Sequence, residues 1–390
     1  MSGQIHKLTR RQFVAVSASA LIVGSVSPVA LADAEILSYS LQKQASRVII
    51  DTDPGVDDAF ALLLAMRSPE LKIEAITAVA GNVPLELTLP NALRMVEIAG
   101  RTDIPVAAGA KAPLLRRLVS AAYVHGENGL AGAELAEPKL KPAPETAATL
   151  IQQTIRKYPG EVTIITLGPQ TNLATALNSD PGLASAVRGV VMMAGSLSGG
   201  NITPAAEFNV YVDPEAARMV FQSGIPITMV GLDVTRRTSL TDTHVRALEV
   251  AQNPVSQAAA KIARHAIDHA RAQGFTVDPN MHDSLAVAAF LDPSLLKWKE
   301  YYIDVETAGE LTAGETLGYS PSAAGLRRTP DAEKQAAANY HIRGSAPTLA
   351  TSNASLLLRD KYVPNANVAI DVDSGRFFDL LIGRLTKTQQ

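Results

Sequence analysis

Asp51-Thr52-Asp53-Pro54-Gly55-Val56-Asp57-Asp58 places four carboxylates in eight residues, between an apolar run and a helix-like run. Before it, Val48-Ile49-Ile50 is short, apolar and β-branched, which predicts a buried parallel strand; after it, 59–66 reads as a buried helix. Pro54-Gly55 turns the chain tightly, so Asp57 and Asp58 fall at a helix N-terminus, where the dipole favours anions. The acids therefore stand at the carboxyl edge of a strand, the usual ligand position in an α/β sheet. Anions this close repel one another. A divalent cation is their natural neutraliser, and oxygen-only donors point to calcium or magnesium.

Outward from this stretch, strand-like and helix-like runs alternate. Strands are predicted over 73–80, 162–167, 187–194, 225–230, 302–305 and 367–373. Helices are predicted over 89–99, 145–158, 214–222, 241–250, 255–272, 283–290 and 376–385. The alternation implies one large α/β domain over 47–386, with a doubly wound, mostly parallel open sheet flanked by helices. Residues 320–364 lack periodicity, apart from a brief helical phase at 332–338, and read as an insertion.

A chain of 390 residues with 47% hydrophobic composition can bury a large core. The formal net charge of -3 and the 5% aromatic content supply neither an electrostatic footprint nor a stacking platform, which argues against nucleic acid as a partner. With no cysteine, disulfides, thiolate metal sites and a cysteine nucleophile are excluded. Oxygen and imidazole chemistry remain.

At the start of the chain, Thr9-Arg10-Arg11-Gln12-Phe13 precedes a small, apolar run over 14–29, then Ala30-Leu31-Ala32. This pattern is that of a twin-arginine export signal over 1–34, followed by a polar lead-in over 35–46. The run is broken by Pro28, which fits cleavage better than a membrane anchor, so no membrane association is expected afterwards. The expected location is periplasmic or secreted. Twin-arginine export moves proteins already folded, which suits a chain that takes up its metal first.

Further motifs occur where strands end or helices begin: Ala80-Gly81-Asn82, His125-Gly126-Glu127-Asn128-Gly129, Leu167-Gly168-Pro169-Gln170-Thr171-Asn172, Asn201, Ala206-Glu207-Phe208-Asn209, Asp213-Pro214 and His282-Asp283. In this order and spacing they resemble the nucleoside hydrolase family, the calcium-dependent inosine-uridine preferring N-ribohydrolases, from Arg47 to Leu385. The resemblance implies that Ca2+ is held by Asp53, Asp58, Asp283 and the backbone carbonyl of Leu167. It further implies that Asp53 is the general base, that Asp57, Asn209 and Asp283 hold the ribose 2'- and 3'-hydroxyls, and that Asn201 and Glu207 hold the 5'-hydroxyl. Asn82 is expected to line the same pocket and Asp51 to support the loop.

The implied reaction is hydrolysis of the N-glycosidic bond of a small-molecule ribonucleoside through an oxocarbenium-like transition state. The departing base needs a proton, and His282 and His125 are the candidates because imidazole titrates near neutrality. Phe208 and Tyr301 are candidate walls for the base, Met193 a candidate sugar contact, and Asn172 reads as a helix cap. The chain departs from the family pattern in its export signal, in Ala194 where a glycine is usual, and in the insertion. A homo-oligomer, dimer or tetramer, is expected by resemblance. Two other readings stay open on the sequence. One is a periplasmic nucleoside- or ribose-binding protein without turnover; the other, from Asp51-x-Asp53 after a strand, is a magnesium-dependent phosphohydrolase.

Overall fold

Val48, Ile49 and Ile50 have no exposed surface. They alternate between two apolar layers, Val48 and Ile50 in one and Ile49 in the other, as in a strand covered on both faces. The computed structural model describes residues 45–320 and 362–388. The predicted export signal, the lead-in as far as residue 44 and residues 321–361 of the predicted insertion lie outside the described residues.

The sheet grows from β1 (Ser46–Thr52). On one side lie β2 (Leu71–Ala78) and then β3 (Val106–Ala108); on the other lie β4 (Thr163–Thr166), β5 (Gly189–Met193) and β6 (Ile227–Val230). These strands are parallel in the order β3-β2-β1-β4-β5-β6, the doubly wound arrangement. β7 (Leu296–Val305) and β8 (Thr316–Tyr319) form an antiparallel pair, joined to the sheet through β9 (Ala366–Val372). β9 is parallel to β6 and antiparallel to β7, so the sheet is mixed at this end.

Two boundaries differ from the sequence reading by four residues or more. β7 starts at Leu296 rather than 302, because Lys297, Lys299 and Glu300 interrupt the apolar run. A half-exposed edge region tolerates such residues where a doubly covered strand does not. The second helix starts at Leu85 rather than 89 and keeps Pro90 inside it, at the loss of the one N–H that proline lacks.

Helices Val56–Met66, Leu85–Ile98, Pro254–Ala272, His282–Leu291 and Ser374–Thr386 cover the Val48 and Ile50 face. Helices Ala147–Lys157, Thr171–Ser179 and Pro214–Phe221 cover the other. Helix Val56–Met66 is buried along its whole length, as its unbroken apolar sequence requires. It lies against helix His282–Leu291, where Ser284 Oγ donates to Asp57 O at 3.3 Å. Each large apolar side chain buried between them contributes roughly 1.5–3 kcal/mol. That packing holds Asp283 beside Asp57 and Asp58 against their mutual repulsion. Among the described residues, no helix is long and apolar enough to cross a membrane.

Candidate active site

Strand order reverses at β1, whose neighbours β2 and β4 lead off in opposite directions. A crevice opens at such a point beyond the carboxyl ends of the strands. Into it run the loop after β1, with Asp53, the first turn of helix Val56–Met66, with Asp57 and Asp58, and the loops after β2 and β4, with Asn82 and Leu167.

The acids are buried and tightly held. Asp58 Oδ1 accepts from Thr52 Oγ1 at 2.5 Å, and its Oδ2 accepts from Gly55 N at 2.9 Å and Asn82 Nδ2 at 3.0 Å. Asp53 Oδ2 accepts from Asn82 N at 2.7 Å, while its Oδ1 is buried without a hydrogen-bond partner among the described residues. Glycines make room for that carboxylate. A Cβ on Gly81 would stand 2.1 Å from Asp53 Oδ2, and one on Gly168 2.3 Å from Oδ1. Carboxylate oxygens of Asp57, Asp58 and Asp283 lie within 4.8 Å of one another. Behind them Asp51 Oδ1 accepts from Thr77 Oγ1 at 2.5 Å and Asn172 Nδ2 at 2.8 Å.

Burial and crowding shift all of these groups the same way. Burial, then the charge of Asp58, pushes Asp57 up to about 7. Burial and the neighbouring acids hold Asp53 and Asp283 well above the carboxylate range. Burial alone, against two hydrogen bonds, brings Asp51 to about 7. Among the described residues, no lysine or arginine lines the cavity above them. An all-oxygen set with an orphaned buried oxygen and no basic partner fits a bound cation.

The cavity has a volume of about 310 Å³, at the lower end of small-molecule sites. Its polar end is lined by Asp57, Asn82, Asn201, Glu207, Asn209 and Asp283, with Leu167 and Met193 beside them. Asp53 and Asp58 lie beneath that floor rather than on it. Glu207 caps helix Phe208–Val212: its carboxylate accepts from Asn209 N at 2.8 Å, Gly195 N at 2.9 Å and Val210 N at 3.1 Å. Burial nevertheless raises it to about 7. Asn209, which lines the cavity, is held there by its Nδ2, which donates to Leu167 O at 2.8 Å and Met193 O at 3.1 Å. The remaining lining, the apolar end, carries Tyr123, Val124, Phe275 and Val277, with Asp278 and Asn280 beside Val277.

His125 and His282 both line the cavity. Their titration differs from the sequence expectation. His125 Nδ1 accepts from Val56 N at 3.1 Å, leaving its proton on Nε2, and burial, then the charges of His282 and His269, lowers it to about 3. His282 Nδ1 shares a 2.7 Å hydrogen bond with Thr235 Oγ1, and burial, then the charge of Arg236, lowers it to about 4. Both rings are neutral at pH 7.

The predicted residues thus converge, with some changes. The triple within 4.8 Å contains Asp57 in place of Asp53. Asn172 is not a cap: Gln170 precedes the helix, and the Asn172 amide links Asp51 to Ala78 O and Ala110 N. Phe208 lines the cavity, whereas Tyr301 packs on the core beneath Lys299. The sequence reading missed Thr52 and Thr77, whose hydroxyls hold the acids, and the apolar end with Tyr123, Phe275 and Val277. The only signal for Phe275 and Val277 was an aperiodic stretch after Gly274 that kept large apolar residues.

Comparison with known proteins agrees with this fold. A family profile described as inosine-uridine preferring nucleoside hydrolase matches residues 48–379. The chain is 42% identical over 340 residues to the pyrimidine-specific ribonucleoside hydrolase RihA of Salmonella gallinarum, covering 87% of this chain and 97% of that one. A plant nucleoside hydrolase, PpNRh1, superposes with a TM-score of 0.74 at 32% identity over 88% of this chain and 100% of that one. The purine-preferring ribonucleoside hydrolase of Gardnerella vaginalis gives 0.72 at 28% identity over 87% and 98%. The chain belongs to the inosine-uridine preferring nucleoside hydrolase family, enzymes that cleave the N-glycosidic bond of ribonucleosides.

Proposed function

We propose that this chain is an exported, calcium-dependent ribonucleoside hydrolase that favours pyrimidine nucleosides. The observation that carries the metal and mechanism is the buried carboxylate group of Asp53, Asp57, Asp58 and Asp283, without a basic partner among the described residues, under a cavity of about 310 Å³. Asp53, Asp58, Asp283 and the Leu167 carbonyl are the proposed calcium donors, with Asp57 adjoining them. Calcium, when bound, supplies Lewis acidity that makes water at the site easier to deprotonate.

Asp53 takes the proton of the attacking water. Its Oδ1 has no other partner, and the Asn82 N–H fixes its Oδ2. Asp57, Asn209 and Asp283 hold the 2'- and 3'-hydroxyls, and Asn201 and Glu207 the 5'-hydroxyl. The same carboxylates stabilise the positive charge that develops on the sugar ring. Water oxygen bonds to the anomeric carbon while the bond to the base nitrogen breaks, its electron pair leaving with the base. His125 and His282, neutral at rest, deliver N–H hydrogen bonds to that base.

The pyrimidine preference is supported by the 42% identity to RihA, whose name describes it as pyrimidine-specific. Arg10-Arg11 and the apolar run after them support twin-arginine export to the periplasm or beyond. Assembly of identical chains completes the proposal and is read by sedimentation. A magnesium phosphohydrolase lacks support in a cavity where, among the described residues, no lysine or arginine could hold phosphate. The test is ribose release from uridine and inosine by purified protein with calcium. Release, lost in Asp53→Ala, supports the reading; nucleoside binding without reducing sugar would favour a binding protein.

A further inference from the structure

Residues 195–201 run from the end of β5 to the polar end of the cavity, and they are gripped from two sides by groups that do not line it. On one side stands Thr316, the first residue of β8. Its Oγ1 donates to Ser196 O at 2.5 Å and accepts from Ser196 N at 2.8 Å, so one buried hydroxyl closes on both backbone groups of a buried residue. Gly195 has φ +68°, and a Cβ there would stand 2.7 Å from Thr316 Cγ2. The loop lies directly on β8, with no space for a side chain between them.

On the other side stands Asp233, in the short helix Leu232–Thr235. Its Oδ2 accepts from Leu197 N at 2.8 Å and its Oδ1 from Ser198 Oγ at 2.6 Å. Arg236 adds a hydrogen bond to Gly200 O. The gripped loop connects straight to the site. Gly195 N donates to Glu207 Oε2 at 2.9 Å, and Asn201 Oδ1 accepts from Phe208 N at 2.9 Å.

We propose that Thr316 and Asp233 are positioning residues, the two jaws of a clamp that aims Asn201 and Glu207 at the 5'-hydroxyl. The inference rests on the assignment of those two residues under the proposed function. Without the Thr316 hydroxyl, the N–H and C=O of Ser196 are both buried without partners, and the peptide must turn to find others. Gly195 N, a donor to Glu207, turns with it. Without Asp233, Leu197 and Ser198 are released from the opposite face. Either loss misplaces one end of the sugar and leaves the acids around Asp53 in place.

The experiment compares uridine with 5'-deoxyuridine in the wild type, Thr316→Val, Asp233→Ala and Thr316→Ser. The clamp predicts about a tenfold loss of kcat/KM on uridine in the first two variants, one hydrogen bond's worth, mainly through KM. It predicts no loss on 5'-deoxyuridine and recovery in Thr316→Ser, which keeps the hydroxyl. Amide exchange in the free protein should quicken at 195–201 in both variants and stay unchanged in β1. Equal losses on both substrates, or none, would overturn the clamp. If Thr316→Val does not fold, Asp233→Ala carries the same comparison. Equal wild-type rates on the two substrates would remove the 5'-hydroxyl assignment and the clamp with it; wild-type discrimination that persists in the variants would overturn the clamp alone.

Discussion

The two ends of the cavity are built by different physics. At the polar end Asp57, Glu207, Asn209 and Asp283 are buried, and hydrogen bonds hold the carboxylate of Glu207 and the amide of Asn209. At the apolar end Tyr123 is 46% exposed, Phe275 43% and Val277 63%. A buried polar group must be satisfied in one geometry, so it can demand one arrangement of hydroxyls. An exposed apolar wall asks only for shape and tolerates many occupants. In the proposed reading the first end takes the ribose strictly and the second takes the base loosely. Relatives described as pyrimidine-specific and purine-preferring share one fold, consistent with that division.

The largest test of the strict end is Asp53→Asn. Its kcat should fall by about 10²–10⁴-fold, the usual contribution of a positioned base. Without calcium its melting temperature should not fall, because a buried carboxylate with an orphaned oxygen is removed. Steady-state kinetics with thermal denaturation reads both, and a fall in kcat below tenfold would erase the distinction between the ends. Next comes the sugar itself. 2'-Deoxyuridine should lose about 10²-fold in kcat/KM against uridine, because Asp57 and Asn209 are left unpaired in a buried site. Comparable rates would break the comparison on its strict side.

At the loose end the effects shrink. Phe275→Ala should raise KM for uridine by roughly 3–10-fold, the loss of part of one apolar contact, and shift the ratio of uridine to inosine turnover. Its kcat should stay within about twofold, since no group that the proposal places on the ribose moves. A collapse of kcat would mean that the two ends are not separable.

The smallest effect is one of pH and stability. Asp57 is raised from 3.8 to about 7, so without a cation its protonation stabilises the fold fully below 3.8, and that contribution is lost as pH rises through about 7. Calcium takes the place of those protons. The melting-temperature gain from calcium should therefore be small near pH 5 and larger near pH 8, by a few degrees. A gain independent of pH would contradict the shift.

The same contrast explains what the sequence disclosed. Four acids after a β-branched run can hardly be anything but a site, and Gly81, Gly168 and Asn82 stand where that site needs space and a donor. Asp283 was legible only through its neighbour His282, because 225 residues separate it from Asp58 and only the packing of two helices brings them together. The neutral histidines were not legible: burial sets their titration, and no spacing encodes burial. Phe275 and Val277 were missed because apolar residues in a loop carry no periodicity. In the fold, the doubly covered strands announced themselves, while β7 hid its first half behind alternating lysines.

The central claim is that the acids of the polar end hold a cation for Asp53 to work beside. Ribose release from uridine, measured on chelator-treated protein before and after calcium is restored, tests it most directly. No release is expected without calcium, with recovery on its return and no recovery in Asp53→Asn. Undiminished release by the wild type in chelator would contradict it.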